Sequence, residues 1–150
     1  MENLFYEYEN FLRTNSKETI NIGFSDLLGK SIIRIFQVRD EAIVICTSDG
    51  FIYFLHHIQD CCESVYIDDI CGELENSTGL VVLAEEVTNL DPKLDKSFDS
   101  ATWTFYKLNT VKDSVTIRFL GESNGYYSES VNFQKFFCPE FQLHLKINNF

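Results

Sequence analysis

Residues 30–56 read KSIIRIFQVRDEAIVICTSDGFIYFLH, and this stretch decides the fold. Ile32, Ile33, Ile35, Phe36 and Val38 form a β-branched and aromatic run, the composition that suits extended backbone. Asp40-Glu41 breaks it, Ala42 to Thr47 forms a second run, Ser48-Asp49-Gly50 supplies a tight turn, and Phe51 to His56 returns. The pattern predicts a three-stranded antiparallel meander. Apolar residues lie on both faces of each strand, so both faces need cover, from helix on one side and from something else on the other. Such two-sided strands leave a homodimer open.

Upstream, Met1, Leu4, Phe5, Tyr8, Phe11 and Leu12 recur every three or four residues and predict an amphipathic helix over residues 1–16. A second helical turn is expected over Phe24 to Leu28, stopped by Gly29. Downstream, Ile67, Ile70 and Leu74 fit a helical spacing, and Asp68-Asp69 would favour its N-terminus. Strands are expected at Leu80 to Thr88, Ala101 to Leu108, Ser114 to Gly121 and Tyr126 to Phe133, with an exposed loop from Asn89 to Ser100. Strict alternation over Phe141 to Ile147 predicts a last half-buried strand. Trp103, Phe105, Tyr106 and Phe119, on adjacent strands, are expected in the core. The expected class is α+β, one domain over residues 1–150 built mainly on antiparallel strands, with two or three short helices.

The chain has 150 residues and a formal charge of −11. Residues 60–99 hold eleven acids against two bases, so the negative excess is concentrated there. Such a field repels nucleic acid and anionic membrane and attracts a basic protein surface. The N-terminus has no basic region before its apolar residues, and no stretch approaches the uncharged apolar length of a membrane helix. A soluble protein in the cytoplasm of a bacterial host cell is expected, with its cysteines reduced.

The densest set of chemistry-bearing residues is His56-His57-Ile58-Gln59-Asp60-Cys61-Cys62-Glu63, followed by Asp68, Asp69 and Cys71. His57, Asp60, Cys62 and Cys71 form a candidate zinc set, since thiolate and imidazole are the ligands zinc prefers. Neighbouring residues on extended chain point to opposite faces, so the spacing is poor for a closed site. A cysteine nucleophile is disfavoured because Asp60, Glu63, Asp68 and Asp69 would raise the thiol pKa. Glu85-Glu86 cannot act together on a strand, and Gly121-Glu122 puts negative charge where a phosphate would sit. The hairpin carrying Tyr126 and Tyr127 has the composition of an adaptable contact surface.

Three stretches are distinctive together: His57-Ile-Gln-Asp-Cys-Cys-Glu-Ser-Val-Tyr-Ile-Asp-Asp-Ile-Cys-Gly72, Ala84-Glu-Glu-Val-Thr-Asn89, and Thr102-Trp-Thr-Phe-Tyr-Lys107 with Ile117-Arg-Phe-Leu-Gly-Glu-Ser-Asn-Gly-Tyr-Tyr-Ser128. They resemble an uncharacterised family of small proteins found in bacteriophages and bacteria. The resemblance covers about residues 28–133, places a family-like core at 30–133, and implies origin more than mechanism. The leading expectation is a non-enzymatic acidic protein without a cofactor that binds and inhibits a basic, nucleic-acid-handling host protein, through Asp60, Glu63, Asp68, Asp69, Glu73, Glu75, Tyr126 and Tyr127. A metal-supported hydrolase using the His57, Asp60 and Cys62 segment, and a toxin-neutralising immunity protein, are the alternatives.

Overall fold

The computed structural model describes residues 2–15, 19–90 and 100–140. A helix, α1 (Glu2–Asn15), is followed by strands β1 (Ile20–Asn21), β2 (Ser31–Val38), β3 (Ala42–Thr47), β4 (Phe51–His56), β5 (Ser64–Gly72), β6 (Gly79–Leu90), β7 (Ser100–Thr110), β8 (Ser114–Ser123) and β9 (Asn132–Phe137). Short 3-10 turns occupy Phe24–Leu27 and Leu74–Asn76. The strands run in the order β1-β9-β4-β3-β2-β6-β7-β8-β5, every neighbouring pair antiparallel. The architecture is therefore α+β, dominated by a nine-stranded antiparallel array with little helix among the described residues. None of the described helices is long and apolar enough to cross a membrane.

The meander forms as its runs predict, with Gly50 at φ +89 completing the turn between β3 and β4. Its two apolar faces meet two different partners. Ile32, Ile35, Ile43, Ile45, Tyr53 and Leu55 face a core shared with Ile67, Val81, Tyr106, Leu108, Ile117 and Phe119 of the other half of the array. Phe36, Val38, Val44, Cys46, Ile52 and Phe54 face Tyr8 and Phe11 of α1. The ring of Phe11 lies 5.4 Å from that of Phe54 and 5.1 Å from that of Phe136. Burying each aromatic ring of α1 stabilises its docking by about 2–3 kcal/mol.

The two halves join through a short ladder, Ser31↔Leu80 and Ile32↔Gly79. Three register shifts, between Ile32 and Arg34, between Ile67 and Asp69, and between Val81 and Leu83, each insert one extra residue into a strand. An extra residue bends the strand and delays the next inward side chain by one position. Hence Ile32 and Ile35, Ile67 and Ile70, and Val81 and Ala84 point into the same core despite being three residues apart.

This corrects the helix expected from Asp68-Asp69: the segment is strand β5, and only Leu74–Asn76 turns helically. The strand expected over Tyr126 to Phe133 is also displaced. Residues 126–131 form a turn and connecting segment, and β9 begins at Asn132. Glu129 holds that segment down, accepting hydrogen bonds from Thr102 and Ser123, while its backbone crosses so close to Gly121 that a Cβ there would collide with the Glu129 carbonyl oxygen. Of the four aromatics expected in the core, Tyr106 and Phe119 are buried there, whereas Trp103 and Phe105 are half-buried on the opposite face, as alternation along β7 requires. The strand expected at 141–147 and most of the loop expected before Ser100 lie outside the described residues.

Candidate functional site

The end of β4 places two adjacent histidines in opposite environments. His56 is buried and accepts a hydrogen bond at Nδ1 from the Tyr8 hydroxyl at 2.6 Å. Its Nε2 donates to Gln134 Oε1 at 2.8 Å, since the Gln134 amide nitrogen in turn donates to Asn21 Oδ1 at 3.0 Å. Burial lowers the His56 pKa and keeps the ring neutral, and burial raises that of the Tyr8 hydroxyl, assisted by Glu41 and Glu9. The chain of four side chains thereby ties α1, β1, β4 and β9 together.

His57 points the other way, donating from Nδ1 to the Ser130 carbonyl oxygen at 2.7 Å and contacting Glu63 Oε1 through Nε2 at 2.9 Å. Glu63 also accepts from the backbone N–H groups of Asp60 at 2.6 Å and Cys61 at 3.1 Å, and the Gln59 side chain donates to its carbonyl oxygen at 2.8 Å. These donors, the Asp60 amide foremost and His57 next, hold the Glu63 carboxyl down to about 2. The segment 57–63 is thus a loop wound around its own carboxylate. Glu63 is buried and committed to that loop, which corrects its expected place on a partner-facing surface.

The same geometry disperses the candidate zinc set. His57 is engaged by Glu63 and Ser130, Cys62 is bonded to Cys61, and Cys71 lies near the far end of β5 from Asp60. Among the described residues, no group of three or more His, Cys, Asp or Glu side chains gathers as metal ligands would.

The remaining acids fall into separate places. Asp60 and the edge-to-face pair Tyr126 and Tyr127, ring centres 5.0 Å apart, lie toward one end of β5, where Ser64 pairs with Glu122. Glu73 and Glu75, both exposed, follow Gly72 at the other end. A nine-residue strand separates these ends by roughly 30 Å. Between them, the bulge sets Asp68 and Asp69 opposite Arg118: Asp69 is its register partner, and the Asp68 carboxylate accepts from Arg118 Nε at 2.8 Å and from a second guanidinium nitrogen. The Arg118 guanidinium also lies over the Trp103 ring, 4.8 Å from its centre.

A grouping that the linear sequence hid is assembled by one backbone bond. The Ile67 amide donates to the Asp40 carbonyl oxygen at 2.6 Å, docking the middle of β5 on the turn between β2 and β3. Asp68 and Asp69 follow Ile67 directly, Asp40 and Glu41 form that turn, and Glu9 on α1 lies close enough to raise the Glu41 carboxyl after burial has done so, with Asp40 adding and Arg39 opposing. All five acids are exposed. The turn was legible only as a hairpin break, and Glu9 only as a polar position of a helix.

A family model described as a domain of unknown function, DUF7448, matches residues 25–133. The chain belongs to this family. The DUF7448 region begins in the 3-10 turn beside the core, takes in β2 to β8 and the first two residues of β9, and leaves α1 and its Tyr8 and Glu9 outside. No curated protein and no solved structure matches the chain.

Proposed function

We propose that this chain is a non-enzymatic binding protein, of phage or mobile-element origin, that acts in the bacterial cytoplasm by occupying the basic surface of a nucleic-acid-handling host protein. The Ile67 to Asp40 bond is the observation that supports this reading, because it sets the strand carrying Asp68 and Asp69 against the turn carrying Asp40 and Glu41, and Glu9 in turn acts on Glu41. Arg118 and Arg39 offset part of that charge, and Asp40, Asp69 and Glu9 supply most of the remainder. Exposed acids spaced within a Debye length of about 8 Å add their fields, which speeds association with a basic surface and makes it sensitive to salt.

The test is capture of binding proteins from bacterial lysate at low and high salt, followed by calorimetric titration of the purified captured protein. Affinity is expected to fall about tenfold or more between low and physiological salt. The combined variant Glu9→Gln, Asp40→Asn, Glu41→Gln and Asp69→Asn should bind far more weakly than a Glu73→Gln, Glu75→Gln variant, whose sites lie at the far end of β5. Equal binding by both variants, or affinity unmoved by salt, would sink the reading.

A further inference from the structure

Between α1 and the end of β4 the surface opens into a cleft of about 380 Å³, a volume in the usual range for small-ligand sites. The side chains of Leu12 and Ile58 form apolar walls, Glu9 and Glu41 stand as carboxylates on the same lining, and Tyr8 and His56 close the interior. Tyr8, His56, Glu9 and Glu41 favour a positive guest, beside the neutral polar side chains of Thr19, Gln59 and Gln134. His56 is held neutral by burial, its Nδ1 already taken by the Tyr8 proton, so the Tyr8 oxygen presents lone pairs and no hydrogen. Glu41 is raised by burial and by its neighbours Glu9 and Asp40, a repulsion that a cation between them would relieve. The second histidine on the lining, His57, has its Nε2 turned to Glu63 and so is already answered by a carboxylate.

Apolar walls flanked by two exposed carboxylates suit an aliphatic stem that carries a positive head, the shape of a lysine side chain. The geometry points to this cleft as a socket for an alkylammonium group, supplied by a lysine on the surface of a protein partner. The inference deepens the proposed function, since Glu9 and Glu41 belong to the acidic grouping there, yet it concerns one side chain and is testable without the partner.

The experiment is an NMR titration of the full chain with Nα-acetyl-lysine methylamide, its norleucine counterpart, and cadaverine. The lysine amide is expected to shift the resonances of Glu9, Glu41 and the His56 ring along one saturable curve with a millimolar midpoint, as befits a single side chain. The norleucine amide, with the same stem and no charge, should leave them in place. Glu41→Gln, an exposed substitution whose folding is checked by thermal denaturation, should weaken the lysine amide by about fivefold. Shifts that never saturate, norleucine binding as tightly as lysine, or a Glu41→Gln variant of unchanged affinity would overturn the socket. Cadaverine binding more tightly than the lysine amide would overturn the side-chain occupant in favour of a free diamine. A socket that binds the amide in a chain with no salt-sensitive protein partner would defeat the proposed function alone, and a partner bound by a chain blind to the amide would defeat the socket alone.

Discussion

All six residues of β3 are buried, whereas Ile67 is the buried residue among the nine of β5, although both strands belong to one antiparallel array. β3 lies inside the order, with a strand on each side, α1 on one face and the second half of the array on the other. Among the described residues, β5 is the last strand in the order and has one ladder, to β8. An unpaired edge invites pairing with other chains, and proteins blunt such edges with bulges and charge. β5 carries both, in the register shift at Asp68-Asp69, and adds the backbone bond from Ile67 to Asp40. The difference teaches that the interior strands specify the fold, while the edge strand is where charge can be displayed at little cost to it.

The largest expected effect separates those two roles. Phe54→Ala should cost about 3–5 kcal/mol in denaturant unfolding, because the ring is fully buried against Tyr8 and Phe11 and its removal leaves a cavity. The half-buried Ile70→Ala on β5 should cost about 1–2 kcal/mol. Equal losses would break the comparison. Next comes the carboxylate at the start of β5. Glu63 titrates near 2 in the fold against about 4.3 in an unfolded chain. A depressed carboxyl contributes stability that is complete above the unfolded value and is lost as pH falls from about 4.3 toward 2. Melting temperature should therefore drop through that window in the parent and less steeply in Glu63→Gln, and parallel profiles would remove the loop-clasping role. The smallest effect belongs to the partly exposed pair Asp68 and Arg118. Asp68→Asn should change stability by at most about 1 kcal/mol, since both partners are partly open to solvent; a larger loss would show that the pair holds the edge in place.

The meander, the α1 stripe and the Phe24 turn were legible because each depends on residues close in sequence. The bulged strands were not. Alternation predicts an inward residue every second position, yet Ile67 and Ile70 are both turned inward three positions apart because an extra residue stands between them, and a three-residue step is also the mark of a helix. The same confusion was latent at Ile32 and Ile35 and at Val81 and Ala84, where clearer strand composition on either side decided the matter. β9 was placed too early because what keeps Tyr126 to Val131 out of the ladder is the tether from Glu129 to Thr102 and Ser123, a contact across the fold. In the site, the charge of residues 60–99 was visible, but its meeting with Asp40 and Glu41 rests on a backbone bond that no side-chain pattern announces. The ligand-rich wording around His57 pointed to a metal, and its structural use is a carboxylate clasped by its own loop.

The position of β9 between β1 and β4 has a consequence for biosynthesis. β4 leaves the ribosome early, yet its partner on that side follows only after the whole of β5 to β8 has been made. Until then the apolar edge that will pair Phe51 with Phe137 and His56 with Asn132 stands open on the nascent chain, while β1 waits for the same late strand. Sheet pairings so distant in sequence form slowly and leave such edges open to aggregation. The interval between translating His56 and translating Asn132 is therefore the time for which this edge of β4 goes without its partner.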